Sequence, residues 1–329
     1  MKELRMWCYK VLPLVYDDSL SYYEVLCKLK AKINELVGVI DDIPEAVKAY
    51  LNTDDFKAYI AQLVDTLKSG FVSVDDYGAK GDGETNDYQA FYDAAEVANE
   101  LGLPLIADGT KSYAIAVGDN SPITVRTDMN LNGATIVVKD TDGEKRLFMI
   151  DQEDFTSETV TQDFFTNDRV YDSKYYGKCI WIKAPIYYSV RPGFENLTYH
   201  EQLLATDMHG FFTNARYIPT IVNGEYQINY KSVDVKPITI ENIVFQYSDA
   251  YACRVIDANR CHLTVRNISF FGKSTFVGDG HTSQMGFFYC YDLVVDGIRG
   301  NNIYPHQNSG YLIGLYVVSD YVIRNVKTH

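Results

Sequence analysis

Four short segments of one pattern recur along the C-terminal third of the chain and restrict its fold more than any other feature. Each reads apolar, any residue, apolar, any residue, Asn or Gly, apolar, and the copies are residues 238–243, 263–268, 293–298 and 321–326. The turn residues of successive copies lie 25, 30 and 28 positions apart. One structural unit repeated at such a period is typical of a solenoid.

The alternation within each copy predicts a strand with one buried face. The turn residues can adopt the left-handed backbone conformation that bends a strand towards the next face, and they are Asn242, Asn267, Gly297 and Asn325. A second apolar strand precedes each of the last three copies, at 254–257, 286–289 and 314–317. A β-sandwich would also alternate, but it does not explain this period with this turn residue. We therefore predict a mainly β chain wound into a parallel β-helix over residues 117–329.

Residues 150–236 are less regular and are predicted to be an insertion that elaborates the first coils. Residues 179–183 and 186–190 have the composition of strands, and residues 200–208 suggest a short helix. The last repeat ends without a cap, so we expect further coils beyond residue 329, because a bare coil leaves unpaired backbone groups.

A narrow apolar stripe runs through the N-terminal part of the chain. Its residues alternate steps of four and three positions, and the seam begins Tyr22, Leu26, Leu29, Ile33, Leu36, Ile40. This heptad pattern predicts a coiled coil over residues 22–70. The alternative is an amphipathic helix packed on its own domain, whose stripe is usually wider. Thr53 or Asp54 is predicted to cap the last helix of the segment, and Gly70 to end it.

Residues 1–21 are rich in aromatic and aliphatic side chains but too short to fold alone. We interpret them as a docking segment that binds another protein through Trp7, Tyr9, Leu12 and Tyr16.

The sharpest local motif lies at residues 74–87, which read VDDYGAKGDGETND. A helix is predicted over residues 87–101, with Phe91, Ala94, Ala95 and Ala98 on one face, followed by strand, turn and strand from residue 102 to 115. The glycines do not have the spacing of a phosphate-binding loop, and neighbouring carboxylates would repel phosphate.

Residues 71–116 resemble the opening segment of the pectate-lyase-like β-helix superfamily, in particular phage tail-spike and pre-neck appendage proteins. The resemblance implies a right-handed parallel β-helix whose open end is covered by the helix at 87–101. One departure is Ala107-Asp108-Gly109, where the family often has proline before the glycine.

Composition and charge exclude several classes of function. The formal net charge is −14, which argues against a nucleic-acid-binding protein. The six cysteines show neither paired nor metal-ligand spacing, so we predict no disulfide, no metal and no cofactor. No secretion signal is visible in the first residues and no apolar run is long enough for membrane insertion, so we expect a protein made without a signal peptide. Synthesis in a host cytoplasm fits these features.

Candidates for chemistry are Asp257, Asp279 and His281, because glycan-cleaving β-helices use carboxylates in a groove. A polar loop at Asp279 and His281 needs no function, and turn chemistry alone explains Asp257 beside Asn259. The resemblance transfers no catalytic residue to this chain, so activity as a polysaccharide- or teichoic-acid-degrading hydrolase or lyase stays open, and its site could lie outside this segment.

Two functions agree with these patterns. The first is a virion protein, made without a signal peptide, that docks on phage neck, collar or tail proteins. It assembles as a homotrimer and binds host cell-surface polysaccharide or teichoic acid. The second is a free polysaccharide lyase or glycoside hydrolase. The heptad seam favours the first function, since a free enzyme does not need it.

Overall fold

The computed structural model describes residues 53–140, 145–152, 155–161, 169–190, 197–214, 225–247, 253–272, 282–301 and 310–328. The predicted docking segment and heptad seam lie outside these residues.

The described chain begins with helix α1 (Asp54–Ser69), which the side chain of Thr53 caps and Gly70 ends in the left-handed conformation, as predicted. The opening segment then contains β1 (Val72–Ser73), a 3-10 helix (Val74–Tyr77), β2 (Asp82–Asn86), helix α2 (Tyr88–Leu101), β3 (Leu105–Ile106) and β4 (Ser112–Ile115). Next come β5 (Ile123–Val125), β6 (Met129–Asn130), β7 (Thr135–Val138) and β8 (Arg146–Asp151).

Two carboxylates explain why the glycine-rich motif folds as it does. Asp87 is 3% exposed and accepts hydrogen bonds from the backbone N–H groups of Lys80 (2.6 Å) and Gly81 (3.1 Å). Asp75 accepts hydrogen bonds from Lys111 Nζ (2.8 Å) and from the Tyr113 hydroxyl (3.0 Å). These hydrogen bonds fix the loop to α2 and to β4, so the motif has a structural role. Residues 74–87 are called the opening clasp below.

Helix α2 covers one end of the core. The side chains predicted for its inner face are at most 1% exposed, and they are Phe91, Ala94, Ala95 and Ala98. The Phe91 ring lies 5.3 Å from that of Tyr113 and 6.3 Å from that of Phe148, measured between centroids. The helix contacts β1 and β5, which are the first strands of two different sheets, so it closes both at once.

An antiparallel sheet follows, here called the insertion sheet. Its strands are β9 (Thr156–Thr161), β10 (Lys178–Val190), β11 (Leu197–Ala205) and β12 (Glu225–Ser232), in the order β11-β10-β12-β9. A short 3-10 helix (Ser173–Tyr175) precedes β10. The helix predicted at 200–208 is wrong, because residues 197–205 pair with β10 and their strand is held by that ladder.

The repeats form the last eight strands. They are β13 (Ile238–Tyr247), β14 (Arg254–Asn259), β15 (Cys261–Gly272), β16 (Thr282–Phe288), β17 (Tyr291–Asn301), β18 (Gly310–Tyr316), β19 (Ser319–Arg324) and β20 (Lys327–Thr328).

Consecutive strands from β13 to β19 alternate between two parallel sheets, and β20 pairs with β17 in the first of them. The first parallel sheet has the order β1-β3-β6-β13-β15-β17-β19, and the second has the order β5-β8-β14-β16-β18. The repeat copies pair in register, for example Leu263 with Leu293. Each turn residue has the predicted positive φ, from 55° at Asn267 to 71° at Gly297. The chain is thus mainly β with long parallel sheets, which is consistent with a β-helix-like fold.

The core lies between the two parallel sheets. Phe245 stacks on Phe270 with centroids 5.4 Å apart, and Phe148 lies 6.4 Å from Phe245. The insertion sheet has a small core of its own around Ile180 and Ile228. It contacts the rest through Cys179 and Leu203, which pack with Cys261, and through Trp181.

Candidate functional site

Asp257 is the centre of a charged cluster on the second parallel sheet. Its side chain is buried, and Oδ2 accepts a hydrogen bond from Arg254 Nη1 at 2.8 Å and another from Arg146 Nε. The two arginines begin neighbouring strands, because Arg254 of β14 pairs with Arg146 of β8. The sheet register therefore brings two guanidinium groups to one carboxylate.

A glycine leaves room for this cluster. Gly286 is the register partner of Asp257. A Cβ atom at Gly286 would lie 2.5 Å from Phe288 Cε2 and 3.0 Å from Arg254 Cδ. The space that a larger residue would fill is occupied by Arg254, whose guanidinium carbon lies 4.8 Å from the Phe288 ring centroid. This distance is typical of a cation–π contact.

Among the described residues, the cluster consists of two guanidinium groups and one carboxylate, whereas the whole chain has a net charge of −14. The Arg254 side chain is 12% exposed and its Nε–H is buried without a hydrogen-bond partner, whereas the Arg146 side chain is 41% exposed. A partly open pair of arginines beside an aromatic ring can bind an anionic or hydroxyl-rich group.

The geometry of Asp257 suits a positioning role. Its Oδ2 accepts hydrogen bonds from both arginines. Asp257 holds Arg146 and Arg254 in place. The other predicted catalytic residues, Asp279 and His281, lie outside the described residues.

A histidine that the sequence did not indicate forms a second polar contact. His262 Nδ1 lies 2.7 Å from Asp292 Oδ2, and Nε2 lies 2.8 Å from the Val233 carbonyl oxygen. Both partners are acceptors, so both ring nitrogens donate only when the imidazole is protonated. The signal in the sequence that could have indicated His262 is its position in the repeat. His262, Asp292 and Asp320 occupy the same place in successive repeats, and all have φ between 50° and 55°.

A ladder of alternating charge runs across the outer face of the first parallel sheet. Glu241, Arg266, Asp296 and Arg324 are successive register partners. Arg266 Nε donates to Glu241 at 2.6 Å, and Arg324 Nε donates to Asp296 at 3.0 Å. Hydrogen bonds from Asn325 and then from Arg324 lower the pKa of Asp296. This ladder neutralises its own charges, so it is a less suitable ligand site than the arginine cluster.

Within the described part of the chain, no three His, Cys, Asp or Glu side chains lie close enough together to hold a metal ion. No helix in that part has the length and apolar composition needed to cross a membrane.

No family model matches the chain. In a comparison with curated proteins, 182 residues align with the pre-neck appendage protein of Bacillus phage phi29 at 30% identity, which covers 48% of this chain and 21% of that protein. The pre-neck appendage protein of Bacillus phage B103 aligns over 138 residues at 28% identity, covering 35% and 16%. The chain is a distant homologue of phage pre-neck appendage proteins.

This homology confirms the resemblance seen in the opening segment. The aligned part spans only 21% and 16% of the length of these two relatives. Solved structures that match the chain include the tailspike of Pseudomonas phage phi297, at a TM-score of 0.41 and 12% identity, covering 79% of this chain and 51% of that chain. Another is a tailspike of Acinetobacter baumannii bacteriophage AP22 in complex with capsular saccharide, at a TM-score of 0.38 and 11% identity, covering 80% and 47%.

Proposed function

We propose that the protein is a structural component of a phage virion, a tail spike or neck appendage that presents a right-handed parallel β-helix to glycans of the host cell surface. Three copies assemble through the heptad seam that begins at Tyr22. The N-terminal docking segment, with Trp7 and Tyr16, attaches the trimer to a neck, collar or tail protein.

The observation that carries this proposal is the alignment with pre-neck appendage proteins over nearly half of the chain. The alternation of strands between two parallel sheets supports it physically. Stacked coils bury one another's inner faces and produce a rigid rod, which suits a protein that holds a binding surface away from a particle.

Glycan binding is assigned to the cluster of Arg146, Arg254, Asp257 and Phe288. Guanidinium groups present several N–H donors in a fixed plane and bind carboxylate or phosphate oxygens with two hydrogen bonds. The Phe288 ring offers an apolar face beside them. Capsular polysaccharides with acidic sugars and wall teichoic acids with phosphate both match this chemistry.

The glycan part is tested by binding of the full-length chain to purified capsular polysaccharide and wall teichoic acid immobilised on a sensor surface. We expect Arg146→Gln with Arg254→Gln to reduce binding at least five-fold, which corresponds to about 1 kcal/mol or more. The matched control is Arg324→Gln, which removes an exposed arginine from the other parallel sheet. Equal losses in the two variants would show only a general charge effect and would overturn the assignment.

The assembly part is tested by light scattering on the full chain and on a variant without residues 1–52. That variant keeps α1, whose Leu63 is buried in the core. We expect the mass of a trimer for the full chain and of a monomer after truncation. A monomer in both samples would contradict a trimer built by the heptad seam.

A further inference from the structure

A polar cleft lies between helix α2 and the second parallel sheet, away from the arginine cluster. Its volume is about 570 Å³, and its lining residues are Glu96, Asn99, Glu100, Arg126, Gln152 and Arg260. Arg146 and Arg254 begin strands β8 and β14, whereas the cleft residues Gln152 and Arg260 follow the ends of those strands. The two regions therefore lie at opposite ends of the same strands.

The walls of the cleft are rigid. Asn99 of α2 donates to the Thr124 carbonyl at 2.8 Å and accepts from the backbone N–H of Arg126 at 2.7 Å. Gln152 donates to the Ser232 carbonyl and accepts from the backbone N–H of Cys261, both at 2.8 Å. These contacts tie helix, sheet and insertion together, so the cleft is preformed.

Arg260 is a buried cation in this cleft. The residue is 4% exposed, and its Nη1 and Nη2 donate to the backbone carbonyls of Asp151 (3.0 Å) and Lys236 (2.5 Å). Its Nε–H is buried without a hydrogen-bond partner. Burial lowers the pKa of this guanidinium from its ordinary value.

The carboxylates of Asp151 and Asp128 both raise the pKa of Arg260, but neither forms an ion pair with it. Asp151 accepts a hydrogen bond from Arg126 Nε at 2.8 Å and offers Arg260 only its backbone carbonyl. Within the described part of the chain Arg260 forms no ion pair. A buried charge without a directly paired counter-ion is costly, and such a group is the natural partner of an anionic ligand.

The lining also excludes an apolar ligand. All six side chains carry planar polar groups, two each of carboxylate, carboxamide and guanidinium. Such groups hydrogen-bond hydroxyl groups through either donors or acceptors. Glu96 and Glu100 are exposed on the α2 wall and would repel a ligand that is anionic throughout. A ligand with one acidic group and several hydroxyl groups fits both walls of the cleft, with the acidic group beside Arg260 and the hydroxyl groups beside Glu96 and Glu100.

We propose that the cleft binds a single acidic sugar unit, with its carboxylate or phosphate on Arg260 and its hydroxyl groups on the α2 wall. The inference does not depend on the arginine cluster, and it extends the glycan chemistry of the protein to a second site.

Saturation-transfer NMR on the full chain tests this site with four probes: glucuronic acid, glucose 6-phosphate, glucose and inorganic phosphate. We expect one or both acidic sugars to bind at least ten-fold more tightly than either glucose or inorganic phosphate. A preference between the two acidic sugars separates a uronic acid from a sugar phosphate as the natural source. Equal binding of inorganic phosphate would reveal an anion site only and would overturn the proposal, as would equal binding of glucose.

Variants identify the cleft as the place of binding. Arg260→Gln should weaken the acidic sugars at least ten-fold, with folding checked by circular dichroism. The pair Glu96→Gln and Glu100→Gln changes two exposed side chains, keeps hydrogen-bonding capacity and removes two repulsive charges, with folding checked in the same way. That pair should strengthen acidic-sugar binding two- to five-fold at low salt and leave glucose unchanged. Arg324→Gln, which removes an exposed arginine from the first parallel sheet, serves as the control, and an effect of that variant equal to Arg260→Gln would refute the cleft assignment.

Discussion

Asn267→Ala tests the reason that asparagine occupies the repeat turns. Asn267 has φ of 55°, and its Nδ2 donates to Asn242 Oδ1 at 3.1 Å. Alanine in the left-handed region costs roughly 1–2 kcal/mol, and the lost hydrogen bond contributes about 0.5–1 kcal/mol at an exposed site. We therefore expect the free energy of unfolding to fall by about 2 kcal/mol.

Asn267→Gly separates the two contributions. Glycine adopts the left-handed conformation without strain but also loses the side-chain hydrogen bond, and its flexible unfolded state costs about 0.5–1 kcal/mol. We expect the glycine variant to lose less stability than the alanine variant, by about 1 kcal/mol.

Urea unfolding followed by tryptophan fluorescence measures both variants, and the midpoint is compared at an unchanged slope. If alanine and glycine lowered the midpoint equally, backbone strain would not be the reason for asparagine at this turn. The hydrogen bond from Asn267 to Asn242 alone would then account for asparagine at this position.

Three further changes test other parts of the structure. Gly286→Ala should lower the free energy of unfolding by about 1–3 kcal/mol, since its Cβ would lie 2.5 Å from Phe288, and Phe288→Leu in the same chain should restore part of this loss in a double-mutant cycle. Asp87→Asn should lower the free energy of unfolding by about 1.5–3 kcal/mol, measured by thermal unfolding, because the Asp87 carboxylate accepts two backbone N–H hydrogen bonds in the opening clasp. Unchanged stability would mean that the glycines alone hold the loop in its conformation. The lowered pKa of Asp296 means that its stabilising contribution is complete above the ordinary value of 3.8 and is lost as the pH falls through the lower folded-state pKa. Asp296→Asn should therefore flatten the acid side of the stability profile, and an unchanged profile would contradict a role for this ladder in acid stability.

The opening segment and the repeats were predictable because their signals are local. Gly70 ends α1, and the inner face of α2 is buried as its spacing indicated. The turn residues of the four repeat copies all have positive φ. Backbone preference acts within a few residues, so a single sequence contains the information.

The candidate sites were less accessible to sequence reasoning. Asp257 was noted as a carboxylate, but its partner Arg146 lies 111 positions away, and their contact depends on the register between β8 and β14. The space for Arg254 depends on Gly286, which comes from the next strand of the same sheet. Nothing in the local pattern of any one strand specifies its neighbour.

The amino-acid sequence by itself determined the repeating strands, the turns between them and the helix that closes their end. Only the tertiary structure decided that residues 197–205 form a strand instead of a helix, because pairing with β10 outweighs local propensity. It also decided which charges meet, since Arg126, Gln152 and Arg260 come together through the stacking of separate coils. Local backbone preference sets the shape of each turn, whereas long-range pairing sets the sites that those turns create.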